Sequence, residues 1–219
     1  EGQTDLIHAG FGTMNGTDGK PFKTRAGGVM KLEDLIATGL EKAHVRLGEA
    51  NLSDDIGQEE RNDIAHKVAI AAIKFADLQN NRIADYVFDL DRMTSFEGKT
   101  GPYLLYQAVR INSLLKKAKD KGLSPSNTFI IRDEDRNLAL LLAEMPDHFE
   151  LALRNNTPHV LCDYAYKLAQ AFSSFYSQCH ILSEENEALR SSRLGLCQLT
   201  AGQLECLLSL LGIQIPERM

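Results

Sequence analysis

The chain has no run of ~18 uninterrupted apolar residues, the length a helix needs to cross a bilayer, so no membrane span and no membrane partner are expected. Its opening, EGQTDLIHAG, lacks both a basic start and an apolar stretch, does not read as a signal peptide, and leaves a cytoplasmic location as the expectation. Cysteine is sparse. Cys162, Cys179, Cys197 and Cys206 all fall in the last third, and none forms a C-x-x-C pair. Set among leucines and aromatics, they read as buried free thiols rather than zinc ligands or disulfides. His8, His44, His66, His148 and His159 show no metal-ligand spacing, so no metal site is expected of them. Positive charge is also short, with 24 Lys and Arg against 30 Asp and Glu and a net charge of -6. That balance argues against a protein that grips nucleic acid by bulk charge, and no DNA partner is expected. Basic residues gather only locally, at Lys20, Lys23 and Arg25 and again at Lys116, Lys117, Lys119 and Lys121.

What is present is a folded core. Hydrophobic residues make up 43% of the 219 positions, enough for one large domain or two small ones. The first thirty residues carry Gly12, Gly16, Gly19, Gly27 and Gly28 with the dipeptides NG and DG, a pattern of short strands joined by tight turns. Helical periodicity begins at Lys31 and runs to about Leu47. After the polar break NLSDDIGQ a second helix puts Ile64, Val68, Ala72 and Phe75 on one face. Residues 83–90, IADYVFDL, alternate as a strand does. From there the pattern is all helical: Pro102 opens a helix closed by Gly122, another spans 134–154 with a kink at Pro146, and a third runs from Pro158 to about Cys179. Ser183 followed by Glu184 and Glu185 reads as the N-cap and acidic first turn of a last long helix ending near Gly212. The expected fold is mainly α, with a short β and loop-rich N-terminal segment followed by an α-helical bundle. A composition shift near residue 100 divides it.

The stretch DGKPFKTRAGG at 18–28 places two lysines and an arginine between glycines. A phosphate-cradling P-loop would need glycine at position 14 and a hydroxyl after Lys20, and Met14 and Pro21 stand there instead. What survives is a loop able to bring Lys20, Lys23 and Arg25 toward a polyanion, with Thr24 as a hydroxyl donor. Spacing alone serves a phosphate-binding loop and a solvated basic turn equally well. Arg190 and Arg193, at i and i+3, suit intrahelical pairing with Glu187 better than phosphate contact. Tyr103, Tyr106 and Arg110 share a helix face and suit packing between domains, while the four lysines at 116, 117, 119 and 121 suit either contact with a nucleic-acid backbone or, without any ligand, a solvated helix end.

Lys20-Pro21-Phe22-Lys23-Thr24 has the K-x-x-K-S/T layout of the KMSKS loop, and its surroundings, HAGFGTMNGTDGKPFKTRAGGVMKLEDL, resemble the divergent form of that loop in bacterial arginyl-tRNA synthetases, which are class I enzymes. IKFADLQNNRIADYVFDLDRM resembles the stretch that follows the loop, and FEGKTGPYLLYQAVRI the entry to the anticodon-binding domain. Glu187-Ala188-Leu189-Arg190 is a variant of the DALR signature, and Pro216-Glu217-Arg218-Met219 is similar to the family's C-terminus. Departures are mild: Pro21-Phe22 for Met-Ser, Lys99 where Asn is usual, and Glu187 for Asp. The family's HIGH motif does not occur, so the chain is expected to be a C-terminal piece that is inactive alone.

The resemblance implies that 1–100 is the end of a class I nucleotide-binding fold, with the KMSKS-like loop and a stem-contact region, and that 101–219 is the helical DALR anticodon-binding domain. In the intact enzyme, arginine would be ligated to its tRNA through an arginyl-adenylate made with ATP and magnesium, neither expected on this piece by itself. Lys23 would stabilise the pyrophosphate, Lys20 and Arg25 would support it, and Thr24 would orient a phosphate oxygen. Tyr176, His180 and Met219 match positions that contact the anticodon in relatives. A tRNA-binding or scaffolding module without catalysis is the alternative.

Overall fold

A computed structural model describes residues 6–21, 31–50 and 56–219. A two-residue strand, β1 (Met14–Asn15), pairs in parallel with β2 (Tyr86–Val87). Between them lie α1 (Leu32–Glu49) and α2 (Gln58–Leu78), packed along one another. The short α3 (Leu90–Met93) leads to α4 (Gly101–Asp120), and then follow α5 (Asp133–Ala143), α6 (Met145–Asn155), α7 (His159–Gln178), a 3₁₀ turn (Ile181–Ser183) and α8 (Glu187–Leu210). The mainly α expectation holds. One apolar core runs from Ala43 to Ile213 through Phe75, Leu104, Phe172 and Leu204, so α2 and α4 share it across residue 100.

Proline and glycine punctuate the chain where local physics wants them. Thr100 caps α4, its Oγ1 accepting from the Tyr103 amide at 3.1 Å and donating to the Ser95 carbonyl at 2.6 Å. Pro102 sits in the first turn, where its missing N–H has no helical partner to lose. Gly122, at φ 71°, turns the chain out of the helix, and the Leu123 amide reaches back to the Ala118 carbonyl at 2.9 Å.

Four expectations are corrected. The strand at 83–90 shrinks to Tyr86–Val87 because Asp89 caps α3, accepting from the Arg92 amide at 3.2 Å. Pro146 ends a helix rather than bending it, since its ring and absent N–H stop the i to i−4 ladder at Glu144. The Leu142 carbonyl freed there is taken up from outside by Gln203 Nε2 at 2.9 Å, while Leu141 O, which accepts from the Glu144 amide at 3.1 Å, also meets the Tyr164 hydroxyl at 3.0 Å, itself 2.6 Å from Gln203 Oε1. Ser183 belongs to the 3₁₀ turn, and the N-cap of α8 is Asn186, whose Oδ1 accepts from the Leu189 amide at 3.0 Å. Cys162, Cys179 and Cys197 are buried thiols, and burial pushes Cys162 up to about 12 and Cys179 up to about 11, but Cys206 is exposed. It lies on the solvent side of α8.

A Cβ built on Gly101 would stand 2.2 Å from the Ala71 carbonyl oxygen, so α4 starts in backbone contact with α2. Gly101→Ala is therefore expected to destabilise the chain by roughly 1–3 kcal/mol, as overpacking does. Gly202→Ala, in α8 with nothing within 4 Å of the new methyl, should instead stabilise by up to ~1 kcal/mol. Thermal melts of the two variants check both signs.

Candidate nucleic-acid interface

The C-terminal half of α4, the end of α7, the 3₁₀ turn and the last residues of the chain enclose a groove of about 450 Å³. Its α4 wall comes from helical spacing: Tyr106, Arg110, Ser113 and Lys117 follow at i, i+4, i+7 and i+11 and so face one way. Tyr176 stands opposite. The Arg110 guanidinium carbon lies 4.1 Å from the centroid of its ring, and Phe172 packs behind it with centroids 5.9 Å apart. Lys116 completes the basic edge, and Glu217 is the groove's carboxylate. Among the described residues Arg110, Lys116 and Lys117 have no carboxylate within 4.0 Å, so their charge is available to an anion.

The floor is the C-terminal tail, and it is fastened. The Ile213 amide donates to Leu208 O at 2.8 Å, Lys74 Nζ donates to Gly212 O at 2.6 Å, and Ile213 and Pro216 are buried. Arg218 then grips Glu60 of α2 with two donors, Nε standing 2.7 Å from Oε1. Met219 is thereby held against the apolar core and into the groove.

The rim at 180–184 is set from below by a buried ion cluster. Arg193, only 6% exposed, donates from Nε to Asp135 Oδ1 at 3.0 Å and from Nη1 to Glu184 Oε2 at 3.0 Å, with Glu134 Oε2 at 3.9 Å. Asp135 is fully buried, and its second oxygen accepts from the Arg132 amide at 3.0 Å. Arg190 donates to Glu184 O at 2.8 Å. The expected pairing with Glu187 is thus overturned: both arginines turn back toward Glu184 because Asp135 offers a buried carboxylate that demands a cation. Leu182, carried on the clamped turn, lines the groove.

Of the positions singled out in the sequence, Tyr176 and Met219 share the main groove. His180 lines a smaller adjoining cavity together with Tyr176, Leu114 and Leu182. Lys20 stands apart, exposed on a turn where Gly19 takes φ 73°, the Gly16 amide donates to Lys20 O at 2.7 Å, and Asp18 Oδ1 accepts from the Lys20 amide at 3.1 Å. Lys23, Thr24 and Arg25 lie outside the described residues. In the sequence Arg110 reads as a packing residue, and Lys116 and Lys117 as a solvated helix end or a contact to a nucleic-acid backbone. They line the groove, and the signal that could have found Arg110 and Lys117 was the i, i+4, i+7, i+11 phase they share with Tyr106 and Ser113 on α4, with Lys116 beside it.

Comparison with known proteins is concordant. Residues 104–219 match the DALR anticodon binding domain family, and residues 1–90 match the catalytic domain of class I (R) tRNA synthetases. The arginine--tRNA ligases of Maricaulis maris and Hyphomonas neptunium are each 52% identical over 214 and 218 residues, 98% of this chain. The chain spans 36% of the length of these curated relatives. Among solved structures, the arginyl-tRNA synthetase of Thermus thermophilus superposes with a TM-score of 0.79 at 26% identity, over 94% of this chain and 34% of that one. The arginyl-tRNA synthetase of Plasmodium falciparum does so at 0.74 and 30% identity, over 97% and 35%.

Two outcomes follow from the ion pairs around the groove. Arg193→Met should destabilise the chain by ~3–5 kcal/mol by stranding the Asp135 carboxylate, and adding Asp135→Leu should recover much of that loss. Denaturant unfolding of the single and double variants measures the difference. The tail contact carries a pH signature, because the Arg218 guanidinium, by hydrogen bond and then by charge, holds the Glu60 carboxyl below its ordinary 4.5. A carboxyl depressed in the folded state contributes fully above its unfolded value and loses that contribution as pH falls through the folded value. Acidification below about pH 4.5 should therefore release the tail, seen as a change in the NMR signal of the Met219 methyl, and Glu60→Gln should abolish the transition.

Proposed function

The chain belongs to the DALR anticodon-binding family, in the form that follows the class I (R) tRNA synthetase catalytic domain, and on that premise we propose that it is the tRNA-reading portion of an enzyme that ligates arginine to its tRNA. The observation that carries this reading is the groove that gathers Tyr176 and Met219 under three cations, Arg110, Lys116 and Lys117, without carboxylate partners among the described residues. Unpaired RNA bases are held by stacking on aromatic and guanidinium planes and by hydrogen bonds to their edges, with phosphates met by free ammonium groups. Tyr176 with Arg110 supplies the first, and Lys116 and Lys117 the second. His180 extends the same wall. In this reading the anticodon loop enters between α4, α7 and the tail, and residues 101–219 act as the anticodon-binding domain.

Residues 1–100 are then the end of the catalytic core. The arginine carboxylate attacks the α-phosphate of ATP to give arginyl-adenylate and pyrophosphate, and the terminal adenosine of the tRNA accepts the arginyl group. Lys23 meets the charge that develops on the departing pyrophosphate, supported by Lys20 and Arg25, and Thr24 orients a phosphate oxygen. Lys20 suits such a task, since it is exposed on a tight turn and lacks a carboxylate partner among the described residues. Magnesium would travel with ATP. The described residues hold no cluster of three or more His, Cys, Asp or Glu arranged for a metal, so no side chain here is assigned to it. None of the described helices is long and apolar enough to cross a membrane, and the proposed location is the cytoplasm, where a tRNA-charging enzyme meets its tRNA.

The test is binding of the chain to an arginine tRNA transcript and to the same transcript with a substituted anticodon, at two salt concentrations. The unaltered transcript is expected to bind more tightly at both. Tyr176→Ala should weaken it by ~1–3 kcal/mol, roughly fivefold to 150-fold, the worth of one stacked base. Equal affinity for the two transcripts would reject the anticodon assignment.

A further inference from the structure

We propose that the cavity between Arg82 and the start of α7 binds a singly charged phosphate, supplied either by an RNA backbone or as the free ion. It lies outside the groove described above, and it rests on the reading of that groove only for RNA as one source of the phosphate. The cavity has a volume of about 270 Å³, with Arg82, Asp77, Phe11 and Pro158 on its wall. The backbone that carries Arg82 is pinned. Its carbonyl accepts from the Gly12 amide at 2.8 Å, and the Asn81 carbonyl just before it accepts from the Ala84 amide at 2.9 Å.

The Arg82 guanidinium is held there without a counterpart. Nε and Nη1 are buried and have no hydrogen-bond partner among the described residues, and no carboxylate of those residues lies within 4.0 Å. Arg193 and Arg218 show the ordinary solution, since both are engaged in internal ion pairs. Asp77, although on the same wall, accepts instead from the Tyr86 hydroxyl at 2.8 Å. A water molecule could meet one of the free N–H groups but brings no charge. A guanidinium withdrawn from bulk water calls for a counter-charge as well as an acceptor.

The other side of the cavity asks for the same ligand. Pro158 stands before α7, a helix of 20 residues with no side-chain cap and no acidic residue in its first turn, so the positive end of its dipole is uncompensated. On either side of Pro158, Thr157 Oγ1 and His159 Nδ1 are buried without partners. The hydroxyl is a donor, and the ring nitrogen is one in the matching tautomer. Two separate elements thus bring unused donors to one cavity, which suits a tetrahedral oxyanion with acceptors pointing several ways. Asp77 limits its charge, because a second negative charge beside that carboxylate is disfavoured. A phosphodiester or dihydrogen phosphate meets that limit. The cavity and Tyr176 lie at opposite ends of α7, roughly 25 Å apart at 1.5 Å per residue, so an RNA phosphate here would be a contact separate from the groove.

The test follows the Arg82 Nε–H resonance, identified by its loss in Arg82→Lys, while the chain is titrated with dimethyl phosphate and with inorganic phosphate. Alongside it, binding of the arginine tRNA transcript, with unaltered and with substituted anticodon, is measured for the parent and for Arg82→Gln at two salt concentrations. A saturating shift of the resonance is expected with at least one of the two phosphates. If RNA is the source, Arg82→Gln binds both transcripts about tenfold more weakly, with a salt slope shallower by about 0.7–0.9, the mark of one lost phosphate contact. Parental transcript binding by Arg82→Gln together with a saturating shift assigns the site to free phosphate. Absence of a saturating shift with either phosphate overturns the proposal, whatever the transcripts show. The titration of the parent stands even if Arg82→Gln does not fold. If the parent shows no anticodon preference, the groove reading falls by itself, and the phosphate titration still decides the cavity.

Discussion

A carboxylate with no water around it must have a cation, and Asp135 is fully buried. Its partner, Arg193, comes from 58 residues away on α8 and has donors left over after the first bond. Those donors reach Glu184, just past the 3₁₀ turn, while Arg190, one helical turn earlier, takes the Glu184 carbonyl. One buried charge therefore joins α5, α8 and the α7–α8 connection. Everything on that connection inherits its position, including Leu182 on the wall of the groove and His180 beside Tyr176. Because the geometry is set by a desolvated pair, it is not screened by salt as the exposed ion pairs are.

The aromatic side of the groove depends on a different kind of restraint. Tyr176 is one turn from Phe172, which is fully buried, so its ring is aimed by the packing of α7 and covered by α4. The cation that covers it, Arg110, comes from the helix whose start is fixed by the close approach of Gly101 to Ala71 and by the Thr100 cap. Placement of a single side chain in the groove thus traces back to a glycine at the other end of α4.

Local signals in the sequence located most of the helices, because proline, glycine and phase act over a few residues. Pro102 and Gly122 bracket α4 almost to the residue, and Pro158 announces α7. Errors occurred where two local solutions were nearly equal and a distant contact chose between them. Ser183 and Asn186 are both good caps, and the pull of Arg193 on Glu184 places the first in a 3₁₀ turn and leaves the second to start α8. The pairing of Arg193 was illegible for the same reason, since Asp135 is a residue whose burial cannot be read from its neighbours. In the groove, Tyr176 and Met219 were found through likeness to a family rather than through spacing, and Arg110 was seen on the correct helix face but given a packing role. What places it on a groove is the tail folding back across α4, a tertiary event without a local signature.

That tail also settles how the two halves of the chain relate. Its residues close the groove, yet its anchors are Lys74 and Glu60, both on α2, on the other side of residue 100. The groove is consequently not the property of the C-terminal helices alone. Any shift of α2 relative to α4 moves Arg218 and with it Met219, whereas α2 is packed along its length on α1, the first helix after the KPFKT segment. The continuous core from Ala43 to Ile213 makes such a shift costly, because it would open well-packed apolar contacts rather than a wet hinge. The tail that carries Met219 is therefore tied to the same packed core as α1 and α2, with the Arg218–Glu60 ion pair at one end of α2.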